Sequence, residues 1–157
     1  MKILNLFCIF LVLFSPFQSA TAQNDCDGTR YRFTSAFESF EVTPDVVYGN
    51  AINSTGLNQN LLVDIYEPVG DFSENRPLII MAHGGFFIGG ENDNPDVLPL
   101  CQDLTRMGYV VASITYRLGI DNFFDIPNAL VRSVWRGYHD GKAAVRYFRK
   151  TGAEDEN

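Results

Sequence analysis

The sequence lacks a long hydrophobic run, an excess of positive charge and any internal repeat. Its longest apolar stretch, residues 3–14, is shorter than the roughly 20 apolar residues that a membrane-spanning helix needs. Lysine and arginine total 12 against 19 aspartates and glutamates, and the net charge of −7 disfavours a nucleic-acid partner or an anionic membrane surface. What remains is a chain of 157 residues, 46% hydrophobic, which is long enough to build the core of one domain.

The N-terminal apolar stretch predicts a secretory signal peptide. Lys2 precedes it, and the small residues 19–22 follow it in the pattern of a signal-peptidase site. We therefore expect residues 1–22 to be removed by cleavage after Ala22. The mature protein is then expected to be secreted or periplasmic, without contact with the membrane.

Cysteine is scarce as well, because cleavage would leave only Cys26 and Cys101 of the three. An even pair of cysteines in an oxidising compartment is a candidate disulfide. The alternative, which the sequence leaves open, is two unpaired thiols with Cys101 buried on a helix.

Polarity and periodicity divide the remaining chain into an N-terminal arm, residues 23–36, and one domain, residues 37–157. The domain begins with alternating apolar and polar residues, as half-buried strands do. The predicted strands here cover residues 37–42, 46–52 and 61–66. Pro44-Asp45 separates the first two and signals a turn, so we expect an antiparallel meander at the edge of a sheet.

The character of the sequence changes at residue 78. Residues 78–82 and 109–116 are continuous apolar runs, typical of strands that are buried on both faces. Between them, a helix is predicted to begin at Pro95 or Asp96 and to end at Gly108. Its apolar face is expected to contain Val97, Leu100, Cys101 and Leu104. This order predicts a parallel strand pair with a right-handed crossover, and hence an α/β fold.

A second, longer helix is predicted after an irregular loop at residues 117–128, with its end at Gly152. Spacings of three and four residues predict its core face, which contains Leu130, Val134, Tyr138, Gly141, Val145 and Phe148. The solvated side is expected to carry Arg132, Arg136, Arg146 and Lys150.

Residues 76–90 (RPLIIMAHGGFFIGG) combine the features of a binding site. The apolar strand stops at His83, and the glycines that follow allow a tight turn or a close approach of the backbone. Phe86, Phe87 and Ile88 stand inside this glycine-rich loop, where polar residues are usual. Bare backbone N–H groups beside a hydrophobic wall indicate a site for an anion or oxyanion next to an apolar ligand.

Three segments in order resemble the N-terminal half of an α/β-hydrolase: the apolar strand ending in HGG with aromatics, YVVASITYRLG, and HDGKAAVRYFRK. The most similar branch contains secreted esterases, lipases and carboxylesterases, and the resemblance covers residues 45–152. It implies an incomplete sheet in which antiparallel lead-in strands precede parallel strands with crossover helices. It also implies that strand 78–82 lies between strand 109–116 and the strand that carries the nucleophile.

The resemblance implies hydrolysis of a carboxylic ester through a serine acyl-enzyme. By position, Gly84, Gly85 and Phe86 would donate N–H groups to the oxyanion, with Gly85 and Phe86 preferred. Phe86 replaces the third glycine of the family's motif, which restricts φ in the loop. Phe86, Phe87 and Ile88 would form the wall against the substrate. A tight structural turn without a substrate is the alternative for this loop.

The same resemblance implies structural roles for three further residues. His83 would shape the oxyanion loop through hydrogen bonds rather than act as the catalytic base. Arg117 would pair with Asp140 and tie the loop after strand 109–116 to the following helix, with two solvated side chains as the alternative. The other histidine, His139, is expected at the surface or in helix packing.

The catalytic residues themselves are missing from the sequence. No G-x-S-x-G occurs, Ser113 lies within a predicted strand, and Ser133 lies on a predicted helix. Nucleophile, acid and base are therefore expected beyond Asn157, and the 157 residues are expected to be an N-terminal fragment without esterase turnover. Two alternatives remain: another hydrolase of this fold, such as a serine peptidase, and a non-catalytic binding protein.

The expected partner is a small-molecule ester, and the oligomeric state is left open. No cofactor is predicted. Glu91, Asp93 and Asp96 have oxygen atoms of the kind that calcium prefers, but their spacing alone is weak evidence, so no metal site is predicted.

Overall fold

The computed structural model describes residues 30–32, 36–73 and 75–155. The predicted signal peptide (residues 1–22), Cys26 and most of the predicted arm lie outside these residues, as does any disulfide between Cys26 and Cys101. Cys101 itself is fully buried and forms no disulfide with another described residue, and burial raises the pKa of its thiol. None of the helices in the described part is long and apolar enough to cross a membrane.

The sheet formed by the described residues has four strands in the order β1-β2-β4-β3. These strands are β1 (Phe40–Ile52), β2 (Asn58–Pro68), β3 (Leu78–Ala82) and β4 (Val110–Ile114). β1 pairs with β2, and β2 with β4, in antiparallel fashion, whereas β3 runs parallel to β4. Helix α1 (Leu98–Arg106) connects β3 to β4, and α2 (Ile126–Asp155) follows β4. The predicted α/β class, with antiparallel strands leading into a parallel pair, is confirmed.

One helix packs on each face of the sheet. The buried core that contacts α2 contains Tyr48, Leu61, Val63, Ala112, Ile114 and Ala144. The core that contacts α1 contains Tyr66, Val97, Cys101 and Val111. Val111 and Ala112 are neighbours in β4 and point to opposite faces, which explains why an unbroken apolar run suits this strand. β3 has the predicted bounds and lies at the edge, with no described strand on its far side.

The predicted turn at Pro44-Asp45 is wrong, because β1 continues through both residues as one strand of 13 residues. The register with β2 shifts between Thr43 and Val46, which marks a bulge, and Asp45 has a φ of 56°. The backbone N–H of Asp45 donates to the carboxylate of Asp64 at 2.9 Å. Proline is tolerated in strands at bulges, so the same residues that signal a turn here produce an irregularity within an edge strand.

Helix α1 begins at Leu98 rather than at Pro95 or Asp96, and Pro99 lies in its first turn. Gly108 follows the helix with a φ of 103°, as its predicted role as a stop requires. Val97 and Cys101 are buried as predicted, Leu104 is half-buried, but Leu100 is 48% exposed. Thr105, one turn after Cys101, is buried instead, and its hydroxyl donates to the carbonyl of Cys101 at 2.7 Å.

Helix α2 passes through Gly152 to Asp155, so the predicted helix end is wrong. The predicted core face is also wrong for most of its length, because Leu130, Val134, Tyr138 and Val145 are exposed, whereas Gly141 and Phe148 are half-buried. The residues of α2 that are buried are Ala129, Ser133, Asp140 and Ala144. Small side chains allow the helix to lie close to the sheet, and Asp140 turns inward to an ionic partner. Arg136, predicted on the solvated side, is largely buried and donates to the carbonyl of Gly119 at 2.6 Å.

Candidate active site

The loop that follows β3 is anchored by His83 and Tyr116. His83 is buried, and its ring stacks on that of Tyr116 with centroids 4.5 Å apart. The Tyr116 hydroxyl donates to the carbonyl of His83 at 2.8 Å, while Nδ1 of His83 lies 2.7 Å from the carbonyl of Gly84. Because a carbonyl only accepts, Nδ1 carries the proton. His83 therefore holds the loop backbone.

Residues 85–87 form a turn of left-handed helical sense. Gly85, Phe86 and Phe87 have φ values of 111°, 53° and 62°, and the carbonyl of Gly85 accepts hydrogen bonds from the N–H groups of Ile88 and Gly89. A Cβ atom at Gly85 would overlap the carbonyl of Gly89, so only glycine fits there. Each phenylalanine in this conformation costs about 1–2 kcal/mol, which the surrounding contacts must offset.

The start of this turn leaves three consecutive amides available. Among the described residues, the N–H groups of Gly85, Phe86 and Phe87 have no hydrogen-bond acceptor. The first N–H groups of any helical turn lack partners within the turn and point towards its start. The N–H of Gly84 differs, because it donates to Oδ2 of Asp96 at 2.7 Å. The geometry thus leaves a small cluster of donors suited to an anion or oxyanion.

Contacts from two neighbouring segments hold the strained turn in place. The N–H of Gly119 donates to the carbonyl of Phe87 at 2.7 Å, and the Phe87 ring lies edge-on to Tyr116 with centroids 5.5 Å apart. A Cβ atom at Gly137 of α2 would lie 2.9 Å from the Phe87 ring, so the absence of a side chain there admits the ring. The turn is therefore wedged between the loop after β4 and helix α2.

The side chains of the predicted hydrophobic wall, residues 86–88, point in two different directions. Phe86 is 86% exposed and Ile88 is 67% exposed, so both stand out into solvent beside the free amides. Phe87 instead turns inward and lines a cavity of about 340 Å³ together with His83, Val134 and Tyr138. The lining of this cavity is mainly apolar, and it opens between the end of β3 and α2.

The structure brings Arg117 and Asp140 together. Oδ2 of Asp140 accepts the backbone N–H of Arg117 at 2.8 Å, and its two oxygens accept the guanidinium at 2.6 and 3.0 Å. The Asp140 side chain is 2% exposed and that of Arg117 is 13% exposed. Nη1 of Arg117 also donates to the carbonyl of Ile52 at 2.7 Å. One buried ion pair therefore joins α2, the loop after β4 and the end of β1.

The two serines and the second histidine considered from the sequence lie in environments that support the fold rather than catalysis. Ser113 is buried in β4 and donates to the carbonyl of Asn92 at 2.6 Å. Ser133 is buried on α2 and donates to the carbonyls of Gly119 and Ala129. His139 is exposed and packs against Trp135. Both hydroxyls are bound to carbonyls rather than to an imidazole, so neither serine is arranged as an activated nucleophile.

Acidic residues near the loop do not gather into a metal site. Within residues 30–32, 36–73 and 75–155, no group of three or more His, Cys, Asp or Glu side chains is arranged to hold a metal ion. Asp96, considered as a calcium ligand or a helix start, instead binds the N–H of Gly84. Sequence reasoning missed this contact and the packing at Gly137, since neither position carries a local motif that indicates its distant partner.

Comparison with known proteins places this arrangement in a family. Residues 63–154, more than half of the chain, match the BD-FAE family. Pyrethroid hydrolase Ces2a of Mus musculus is 33% identical over 91 residues, which are 57% of this chain and 16% of that protein. Acylcarnitine hydrolase of Rattus norvegicus is 33% identical over 93 residues, with the same shares. Esterase B of Lactobacillus rhamnosis, solved with a tributyrin phosphonate inhibitor, has a TM-score of 0.52 at 20% identity and matches 74% of this chain and 32% of its own.

The segment matched by the two curated relatives is thus 16% of their length. At 20% identity, the likeness to esterase B shows a shared fold. The family match begins within β2 and includes the loop after β3, β4 and most of α2. This part of the chain also builds the donor cluster and the Arg117–Asp140 pair. Because the family match covers more than half of the chain, the protein belongs to the BD-FAE family, and it has an α/β-hydrolase fold.

Proposed function

We propose that this chain provides the oxyanion-binding part of a carboxylic-ester hydrolase that works through a serine acyl-enzyme. The observation that carries the proposal is that the N–H groups of Gly85, Phe86 and Phe87 have no hydrogen-bond acceptor within the described part of the chain. Attack on an ester carbonyl places negative charge on the carbonyl oxygen, and fixed N–H donors stabilise that charge without reorganising. Gly85 and Phe86 are the proposed donors. Gly84 is left out of the pair, because its N–H already binds Asp96.

The proposed substrate is a small-molecule ester, as the names of the pyrethroid and acylcarnitine hydrolases support. Its apolar part would lie against the exposed side chains of Phe86 and Ile88. The attacking serine hydroxyl loses its proton to a base, forms the acyl bond as the alcohol leaves, and is released when water adds to the acyl group. The 157 residues contain no G-x-S-x-G, so nucleophile, acid and base are proposed to come from outside them.

We also propose that the protein acts outside the cytoplasm. The apolar stretch at residues 3–14 and the small residues 19–22 support a cleaved signal peptide. Mass spectrometry of the exported protein tests this proposal, since its first residue should be Gln23. An N-terminus at Met1 in the exported protein would contradict it.

The experiment for the esterase proposal removes one N–H and keeps every side chain. The whole open reading frame is expressed, and Phe86 is replaced with phenyllactic acid by nonsense suppression, which turns the N–H into an oxygen. Loss of one oxyanion donor should lower kcat for p-nitrophenyl butyrate by about 100- to 1,000-fold. The same exchange at the exposed Phe123 is the matched control and should leave kcat unchanged.

Two results would refute the proposal. One is a protein without measurable ester hydrolysis although its reading frame has been expressed in full. The other is an active protein in which the exchange at Phe86 changes kcat no more than the exchange at Phe123, since the N–H would then contribute nothing to the transition state.

A further inference from the structure

The N–H of Gly84 is bound by a carboxylate from another part of the chain. Oδ2 of Asp96 accepts it at 2.7 Å, across 12 residues of sequence. A Cβ atom at Gly84 would lie only 2.8 Å from the same oxygen, so the carboxylate lies directly against the glycine backbone. The contact joins the segment that precedes α1 to the first peptide of the oxyanion loop.

The segment that carries Asp96 is itself anchored to the sheet. The carbonyl of Asn92 accepts the buried hydroxyl of Ser113 in β4 at 2.6 Å, and the carbonyl of Asn94 accepts the N–H groups of Val97 and Leu98. These contacts fix the position from which Asp96 reaches Gly84. Burial raises the pKa of Tyr116, and the negative charge of Asp96 raises it further, which places that charge near the anchoring hydroxyl of the loop.

Through its charge alone, a carboxylate at this position would disfavour formation of the oxyanion during ester hydrolysis. An oxyanion that forms at the amides of Gly85 and Phe86 is disfavoured by a second negative charge nearby. The benefit of Asp96 must therefore be geometric. Two consecutive phenylalanines with positive φ persist only where the surroundings over-determine the backbone. Asp96 fixes the peptide immediately before them, and a charged acceptor makes a stronger bond to an N–H than a neutral one.

We propose that Asp96 is a positioning residue of the oxyanion loop. Its carboxylate holds the N–H of Gly84, which sets the orientation of the peptides that follow and leaves the N–H groups of Gly85 and Phe86 directed at the substrate oxygen. Asp96 touches neither substrate nor nucleophile. This inference rests on the proposed esterase function, and the experiment below separates the two.

The test compares three variants of the protein expressed from its whole open reading frame. Asp96→Ala removes the acceptor, Asp96→Asn keeps a neutral acceptor of the same shape, and Asp93→Ala removes an exposed carboxylate from the same segment as the matched control. With p-nitrophenyl butyrate, Asp96→Ala should lower kcat by about 10- to 100-fold, since misplacement of a catalytic group by 1 Å has an effect of this size. KM and Tm should stay close to the wild-type values.

Asp96→Asn should recover most of the lost kcat, which separates geometry from charge, and Asp93→Ala should behave as the wild type. The exchange of the Gly84 amide with D₂O, followed by NMR, should be faster in Asp96→Ala and near normal in Asp96→Asn. This readout does not depend on turnover. If the wild type is inactive, the esterase proposal fails, while the exchange rate of Gly84 still decides whether Asp96 holds the loop.

Three results would overturn the inference. The first is unchanged exchange of the Gly84 amide in Asp96→Ala. The second is an unchanged kcat in Asp96→Ala in an active enzyme. The third is an Asp96→Asn variant that is as impaired as Asp96→Ala, because the effect would then belong to the charge and not to the hydrogen bond.

Discussion

The buried pair of Arg117 and Asp140 provides the strongest test of how the fold is held together. Replacement of Asp140 with alanine removes the acceptor of the Arg117 backbone N–H and of its guanidinium at once. The side chains are 2% and 13% exposed, so water does not readily take the place of the lost carboxylate. Removal of one partner from a buried pair costs about 3–5 kcal/mol, because the other charge is left buried without compensation.

We therefore expect Asp140→Ala to lower the free energy of unfolding by about 3–5 kcal/mol, and Tm by about 6–20 °C in a chain of this size. Urea unfolding followed by circular dichroism measures the change. Glu154→Ala, which breaks the exposed ion pair with Lys150, is the matched control and should cost about 0–1 kcal/mol. A loss below about 1 kcal/mol in Asp140→Ala would show that the buried pair adds no more than a surface pair does.

Two further predictions follow from burial and from the sheet edge. Burial raises the pKa of Asp64, more than the hydrogen bond from Asp45 lowers it, and the charges of Asp45 and Asp93 raise it further. When the pKa of a carboxyl group is higher in the folded state than in the unfolded state, the group contributes fully to stability below its unfolded pKa of about 3.9. This contribution is lost as the pH rises through the pKa of the folded state. Asp64→Asn should therefore gain stability relative to the wild type from about pH 4 upwards in urea titrations, and parallel curves would contradict this. Leu78 begins β3, which has no described strand on the side away from β4, so Leu78→Lys should reduce light scattering by the 157-residue chain more than Leu57→Lys at an exposed turn. Equal scattering of the two variants would show that this edge does not drive association.

The elements that were predicted well are those whose signal is local. The bounds of β3 follow from an apolar run between a proline-containing loop and His83. Gly108 marks the end of α1 because its backbone takes a positive φ. The loop after β3 was recognised from its glycines and aromatics, since that combination is rare. The prediction of a turn at Pro44-Asp45 was wrong because the proline signal is local. A proline indicates an irregularity in a strand, but the pairing with the neighbouring strand decides whether that irregularity is a turn or a bulge.

The sequence by itself determined the class of fold, the order of the elements and the loop that belongs to the candidate site. It did so because strand and helix periodicity, glycine conformation and short motifs are properties of neighbouring residues. Only the tertiary structure decided which face of α2 meets the sheet. Asp140 turns inward to bind Arg117, 23 residues away in the sequence, and Ala144, one helical turn further on the same face, is therefore buried as well. It also decided which amides of the loop have no acceptor among the described residues. Gly84 and Gly85 look alike in the sequence, but a carboxylate 12 residues further along the chain binds one N–H and leaves the other available.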